Sequence, residues 1–235
     1  VLPFAGPGET RANWAVSDAT GQQYRLQLPG PVWTAADTAR AMADIPARAQ
    51  GLVVLSGSLP PGMPDSFATD LSAALPSGIR LCVDTSGAAL AQVMRAPSAP
   101  PFLLRLDQAE AEEQAHHPLV TIAATRDFAQ GLVARGVAQH VCIAHGADGS
   151  VLVGRDGLAL HSRPPVVPVR SKVGAGDSFM GGFVLAVSQG QDLGAALRAG
   201  TAAAAGTVMT DGTALCRAED VARLLPECSL TRLAP

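Results

Sequence analysis

Seven residues, Val173-Gly174-Ala175-Gly176-Asp177-Ser178-Phe179, carry the strongest chemical signal in the chain. They open an amphipathic segment in which Phe179, Phe183 and Val187 recur at helical spacing. Small residues at 174–176 let the backbone approach a ligand closely, and the first N–H groups of a helix have no intrahelical acceptor. With the helix dipole behind them, such donors suit a transferring phosphoryl group. Asp177 beside them could take the proton of an attacking hydroxyl. The same spacing allows a plainer reading, with Asp177 as the helix N-cap, a position that favours Asp. A bare Gly-x-Gly does not separate the two.

The elements that would position these residues alternate between strand and helix. Apolar runs at Leu52–Leu55, Ile79–Val83, Phe102–Leu106 and His140–Ala144 predict strands. Helical patterns are predicted over Thr34–Ala49, Asp65–Leu75, Ala88–Arg95, Gln108–Gln114 and Thr125–Arg135. Repeated βα units imply an α/β fold with a mainly parallel sheet, whose ligands bind beyond the carboxyl ends of the strands. Ser150–Val153 with Leu158–His161 reads as a hairpin, and Asp177–Ser188 and Asp192–Met209 as helices. The second of these is so rich in small residues that it should pack closely on a neighbour. Ahead of the core, Thr10–Ser17 and Gln22–Leu28 read as a separate hairpin around Ala19-Thr20-Gly21, ended by Pro29-Gly30-Pro31. The expected division is an irregular tail at 1–9, a β-hairpin lid at 10–31 and an α/β core at 32–235.

Composition removes several classes. Of the 235 residues 48% are apolar and 16% charged, with net charge −3, so neither a nucleic-acid surface nor a polybasic membrane surface is expected. The sole lysine, Lys172, lies outside any Gly-x4-Gly-Lys-Ser/Thr loop, and the protein-kinase motifs are absent, which excludes both machines. Cys82, Cys142, Cys216 and Cys228 form no CxxC pair, and Cys82 and Cys142 lie in apolar runs, so buried thiols in a reducing compartment are expected. The longest uncharged apolar stretch is too short to span a bilayer, and the N-terminus lacks a signal-peptide pattern. A soluble cytoplasmic protein is expected.

VGAGDSF followed by a small-residue helix resembles the C-terminal signature of the ribokinase-like (PfkB) sugar-kinase family. Gly8-Glu9-Thr10-Arg11 with Asn13, Gly21-Gln22, SGSLPPG at 56–62, VDTSG at 83–87, GADG at 146–149 and DGTALC at 211–216 are similar, in order, to its phosphofructokinase branch. The resemblance covers almost the whole chain and implies a three-layer sandwich with a small β lid. It implies transfer of the ATP γ-phosphoryl group to a phosphorylated sugar with Mg²⁺, most simply fructose 6-phosphate. Fructose 1-phosphate and tagatose 6-phosphate are the near alternatives. In this reading Asp177 is the base, and the amides of Gly174, Ala175 and Gly176 form an anion hole. Arg11, Asn13, Ser56 and Ser58 face the sugar, with Arg11 on its phosphate. Arg105, Asp107, Ala144, Gly146, Gly149, Gly176 and Ala205 border the nucleotide. Glu110 and Asp84 serve Mg²⁺, and Ser171, Val173, Thr207, Thr210 and Gly212 could hold K⁺. A homodimer through the lid is a further implication.

Plainer readings stand beside these. Arg11 could be an exposed lid residue, Ser56 and Ser58 a Ser/Pro turn, Asp84 an N-cap, Gly146 and Gly149 a hairpin turn, and Asp107 with Glu110 an acidic helix face. The sequence also departs from the family pattern. Its Lys-Pro-Asn-x-x-Glu segment stands here as Arg105-Leu106-Asp107-Gln108-Ala109-Glu110, and its Ser-Leu-Gly as Ala144-His145-Gly146. His145, His116 and His117 lack zinc-ligand spacing. Family members begin with a strand bearing a substrate-binding Asp and a Gly-Gly segment. Neither precedes Gly8, so a shortened chain with an exposed sheet edge and an incomplete sugar pocket is expected. Two further readings follow: a residual, non-catalytic sugar-phosphate or nucleotide binder, and a structural oligomer joined through the hairpin.

Overall fold

The computed structural model describes residues 4–18, 23–95 and 97–234. The turn Ala19-Thr20-Gly21 and the Gly21-Gln22 pair lie outside the described residues. Strands β1 (Asn13–Ser17) and β2 (Gln23–Gln27) pair antiparallel as a separate two-stranded sheet. Their register sets Trp14 against Leu26 and Val16 against Tyr24, so these side chains share one face. All four are exposed, between 48% and 61%.

The core is a seven-stranded sheet in the order β3 (Leu52–Ser56), β4 (Arg80–Asp84), β5 (Leu103–Leu106), β6 (His140–Ala144), β7 (Ser150–Gly154), β8 (Ala159–Arg163) and β9 (Ser229–Arg232). The first four strands run parallel, as their helical crossovers require. The pairings of β6 with β7, β7 with β8 and β8 with β9 are antiparallel, so the sheet is mixed. The expected hairpin at 150–161 is β7 and β8, joined by a short turn. Strand β9, exposed throughout, and helix α8 (Ala218–Leu224) have no counterpart in the sequence reading.

Helices α1 (Ala35–Arg48), α2 (Phe67–Ala74), α3 (Gly87–Val93), α4 (Gln108–Ala115) and α5 (Ile122–Ala134) follow the predicted order within a few residues. Alternation along the strands divides the core in two. Leu81, Val83, Leu104, Leu106, Val141 and Ile143 join Phe67, Leu71, Leu90 and Leu132 from α2, α3 and α5 in one cluster. Cys82, Leu103, Cys142 and Leu152 point to the other face, where Phe179 and Phe183 of α6 (Ala175–Ser188) and Leu197 of α7 (Leu193–Val208) cover them. Helices on both faces of one sheet make the three-layer sandwich.

The small residues of α6 and α7 have a geometric reason. A Cβ on Gly182 would stand 2.8 Å from the Ala199 carbonyl oxygen, and one on Gly200 would stand 2.9 Å from Phe179. Only glycine lets the two helices approach this closely. Burial pushes the Cys82 and Cys142 thiols up to about 12, and both behave as small core hydrophobes. Among the described residues every cysteine is a free thiol, and no helix is long and apolar enough to cross a membrane.

Candidate active site

The ends of three neighbouring parallel strands supply the first row of side chains. Ser56 on β3 is the register partner of Asp84 on β4, and Asp84 that of Arg105 on β5. Partners across parallel strands share a face, so all three point toward α6. The loops that follow are tied together, because the Gly57 amide donates to the Asp84 carbonyl at 2.8 Å and the Thr85 hydroxyl to the Gly57 carbonyl at 3.0 Å.

Helix α6 starts two residues earlier than its apolar period suggests. Gly174, at φ 78°, is the N-cap, and a Cβ there would press on Leu215 at 3.2 Å. Asp177 therefore sits in the first turn, and the N-cap alternative for it does not hold. The Ala175 amide lies 3.5 Å from the Lys172 carbonyl oxygen, and the Ser178 amide donates to the Gly174 carbonyl at 2.9 Å. The amides of Gly176 and Asp177 are left without an intrahelical acceptor. The exposed Asp177 carboxylate accepts a hydrogen bond from the Ser56 hydroxyl at 3.2 Å.

Arg105 lies beneath this turn. Its Nη1 is 3.4 Å from both carboxylate oxygens of Asp84, and each side chain is 13% exposed. Burial raises the Asp84 carboxyl above its ordinary value, opposed by Arg105, while Asp177 and Asp107 add to the rise. Asp107 and Glu110 form a reciprocal capping box at the start of α4. The Glu110 amide donates to Asp107 Oδ1 at 2.9 Å, and the Asp107 amide to Glu110 Oε2 at 2.8 Å. Half-buried Glu110 is also raised by desolvation, against the pull of that amide.

These carboxylates are hard oxygen donors, and Mg²⁺ is characteristically held by one or two carboxylates with substrate phosphates and water. Glu110 fits that arrangement. Among the described residues no group of three or more His, Cys, Asp or Glu side chains could hold a metal alone, so the phosphates would have to complete the shell.

At the end of β6, Ala144 leads through His145 into a 3-10 turn, Gly146–Asp148. Gly146 (φ 59°) and Gly149 (φ 95°) both take left-handed backbone, and a Cβ on Gly149 would overlap the Ser162 carbonyl oxygen at 2.0 Å. His145 is buried with Nε2 2.8 Å from the Leu119 carbonyl oxygen, so it braces the turn from below. The expected cation residues also converge. The Ser171 hydroxyl donates to the Gly212 carbonyl at 2.6 Å, the Val173 amide to Ser171 Oγ at 3.2 Å, and the Thr210 hydroxyl to the Thr207 carbonyl at 2.7 Å. The first of these bonds joins the loop before α6 to the loop after α7, and the other two brace each segment locally.

On the other side, Arg11, Ser56 and Ser58 line a cavity of about 800 Å³ with Trp33, Ile45, Leu55 and Met63. Ser56 also borders a smaller cleft of about 280 Å³ that reaches Asp177 and Met180, so it links the two spaces. Two expected residues do not join this group. Asn13, exposed at the start of β1, is not part of the cavity wall. Ala205, 5% exposed, is packed into a small cluster with Ala202, Leu224 and Cys228. Sequence reasoning missed the Arg105 contacts with Asp84 and Gly176, which depend on register. It also missed the capping box, whose Asp-x-x-Glu spacing is legible.

Comparison with known proteins identifies the family. The chain is 34% identical over 227 residues to the ATP-dependent 6-phosphofructokinase isozyme 2 of Mycobacterium tuberculosis, covering 95% of this chain and 65% of that protein. It is 39% identical over 186 residues to the 1-phosphofructokinase of Xanthomonas campestris, covering 77% of this chain and 58% of the relative. The chain thus spans less than two thirds of the length of either. The crystal structure of phosphofructokinase-2 from Escherichia coli in complex with potassium superposes with a TM-score of 0.83 at 31% identity, over 93% of this chain and 71% of that one. Residues 8–220 match the pattern of the pfkB family carbohydrate kinases. That span takes in every strand and loop that builds the site, and this chain belongs to the pfkB carbohydrate kinase family.

Proposed function

We propose that this chain transfers the γ-phosphoryl group of ATP to a hydroxyl of a phosphorylated sugar, with fructose 6-phosphate as the substrate and fructose 1,6-bisphosphate as the product. The observation that carries this reading is the placement of Asp177. An exposed carboxylate stands in the first turn of α6, beside amides that lack acceptors and beside the Ser56 cleft. A sugar hydroxyl entering that cleft gives its proton to Asp177, its oxygen forms the new bond to the γ-phosphorus, and the bond to the ADP oxygen breaks. The amides of Gly174 and Gly176, with that of Asp177, stabilise the charge on the transferred group, while the Ala175 amide is turned to the Lys172 carbonyl.

Arg11 takes the sugar's own phosphate, and Ser56 and Ser58 take its hydroxyls. The turn at Gly146 and Gly149 borders the nucleotide. Mg²⁺, held through Glu110, neutralises phosphate charge when bound. K⁺ is assigned to the loops containing Ser171, Val173, Thr207, Thr210 and Gly212, a reading supported by the potassium complex of the Escherichia coli relative. The apolar hairpin face is assigned to a homodimer contact, and the free thiols suit the cytoplasm.

A coupled ADP-release assay with fructose 6-phosphate, fructose 1-phosphate and tagatose 6-phosphate tests the proposal. Turnover of the first above the others supports it, and preference for another reassigns the sugar. A second reading, a binder without turnover, is favoured by the open 800 Å³ cavity beside β3, which among the described residues pairs with β4 alone. Sugar-phosphate binding with no ADP release would establish that reading.

A further inference from the structure

Arg105 stands in an unusual position for a strand residue. Its hydrogen bonds among the described residues run from Nη1 to Asp84, while its buried Nε has no hydrogen-bond partner. A Cβ placed on Gly176 would lie 2.8 Å from Nη1, 3.1 Å from Cζ and 3.2 Å from Nη2. Near-equal distances to three atoms of one plane mean that the guanidinium lies flat across Gly176. It is also the cation that acts on both Asp84 and Glu110. The planar fork of a guanidinium suits phosphate oxygens.

We propose that Asp84 is a positioning residue, which acts with Gly176 to hold the Arg105 guanidinium against the first turn of α6, where it faces the group being transferred. Asp84 grips one edge of the plane, leaving Nη2 for a phosphoryl oxygen. Gly176 supplies the flat surface, since any side chain there would occupy the guanidinium's place. The lack of a side chain at 176 thus serves Arg105 as well as the ligand. Asp84, with both oxygens turned to Arg105, acts through that arginine and not by ordering water around a metal. The proposal rests on the phosphoryl-transfer reading above.

The test is a double-mutant cycle on the full chain, with kcat and KM measured separately and Mg²⁺ varied. Arg105→Ala is expected to lower kcat about 100-fold, in line with removal of one charge-stabilising donor. Asp84→Asn is expected to lower kcat about tenfold through a loosened guanidinium, with KM for the sugar unchanged in both. In the Arg105→Ala background Asp84→Asn should cost nothing further. Millimolar guanidinium should restore part of the Arg105→Ala activity, but much less when Asp84 is also Asn. Arg105→Lys keeps a cation opposite Asp84 and serves if Arg105→Ala does not fold; it should lower kcat without moving KM for the sugar.

Additive losses, or an Asp84→Asn defect that added Mg²⁺ repairs in both backgrounds, would overturn the proposal while leaving the kinase reading intact. If the wild-type chain turns over none of the phosphosugars, the kinase reading fails, and calorimetry with ATP and AMP decides this one. Arg105→Ala and Asp84→Asn should then weaken ATP binding non-additively and leave AMP binding unchanged. Equal weakening of both nucleotides, or additive effects, overturns it.

Discussion

The two sides of the site are built differently. On the side proposed for the nucleotide, β4, β5 and β6 are covered on both faces, Arg105 and Asp84 are each 13% exposed, and the Gly149 turn is locked against β8. On the side proposed for the sugar, β3 has one strand neighbour among the described residues, Val54 is 42% exposed, and the walls of the large cavity come from irregular segments, one face of α1, β3 and Phe67 of α2. The first side is held by packing and register. The second is held by a few loop contacts, such as that of the Trp33 amide with the Pro61 carbonyl at 2.7 Å. Rigid donors on one side and an adaptable cavity on the other suit a reaction in which charge stabilisation demands fixed geometry while the acceptor must enter and leave.

The largest expected effect falls where the two sides meet. Asp177→Ala should reduce kcat by about 10²–10⁴, the range for a general base. Its thermal midpoint should stay near that of the wild type, because the carboxylate is exposed and among the described residues its hydrogen bond is to Ser56 alone. Retained turnover would dissolve the distinction between the sides. Next comes Gly149→Ala, where a Cβ meets backbone at 2.0 Å and φ is 95°. Strain of this kind costs about 1–3 kcal/mol before any backbone shift, so chemical denaturation should show a clear loss. Gly146→Ala, at φ 59° with open space around the Cβ, should cost only the about 1–2 kcal/mol of a left-handed residue, with no clash added. Equal losses would mean that the turn is not locked.

On the sugar side, Arg11→Ala should raise KM for the phosphosugar about 10- to 100-fold with kcat little changed, because a charge-assisted phosphate contact is worth about 1.5–3 kcal/mol. An unchanged KM would leave Arg11 as a lid arginine.

The same contrast explains what could be read from the sequence. Strands β4 to β6 and their helices were legible because burial on both faces leaves apolar runs separated by helical periods, and β3, half-exposed, was legible from its short β-branched run Leu52–Leu55. Position within a row was not. The facing of Ser56, Asp84 and Arg105 depends on register, which apolar runs do not set in a parallel sheet. The start of α6 was misplaced because Gly174 caps by backbone conformation, a signal without apolar periodicity. Strand β9 escaped because Ser229–Arg232 is exposed throughout and lacks alternation. Asp177 was legible as a chemical group, and setting aside its N-cap reading needed the helix boundary.

A smaller effect is expected at the hairpin. Trp14, Val16, Tyr24 and Leu26 present one exposed face, and Leu28, donating its amide to Ala12 at 3.3 Å, extends it. Trp14→Ser with Leu26→Ser should convert a dimer to a monomer in sedimentation velocity. The melting temperature should move little, since exposed substitutions usually change stability by less than about 0.5 kcal/mol. A wild-type chain that sediments as a monomer at assay concentration removes the hairpin contact.

The smallest effect probes how closed the walled side is, at the far end of β6 from the chemistry. His140 has Nδ1 2.9 Å from the Phe102 carbonyl oxygen, sets its ring edge-on to Phe102 at 4.8 Å, and leaves no room for a Cβ on Gly154, which would lie 2.8 Å from Cδ2. Burial lowers its pKa from the ordinary 6.5, opposed by the Phe102 hydrogen bond and by Asp156. As pH falls below 6.5, the unfolded chain therefore takes up a proton before the folded chain does. Stability contributed by the neutral ring is complete above that pH and is lost as pH drops toward the lowered folded value. Urea unfolding of wild type and His140→Gln between neutral and mildly acidic pH should show a steeper acid-side decline in the wild type. Parallel declines would mean that water reaches His140 in the folded chain, and that this end of the sheet is as open as the sugar side.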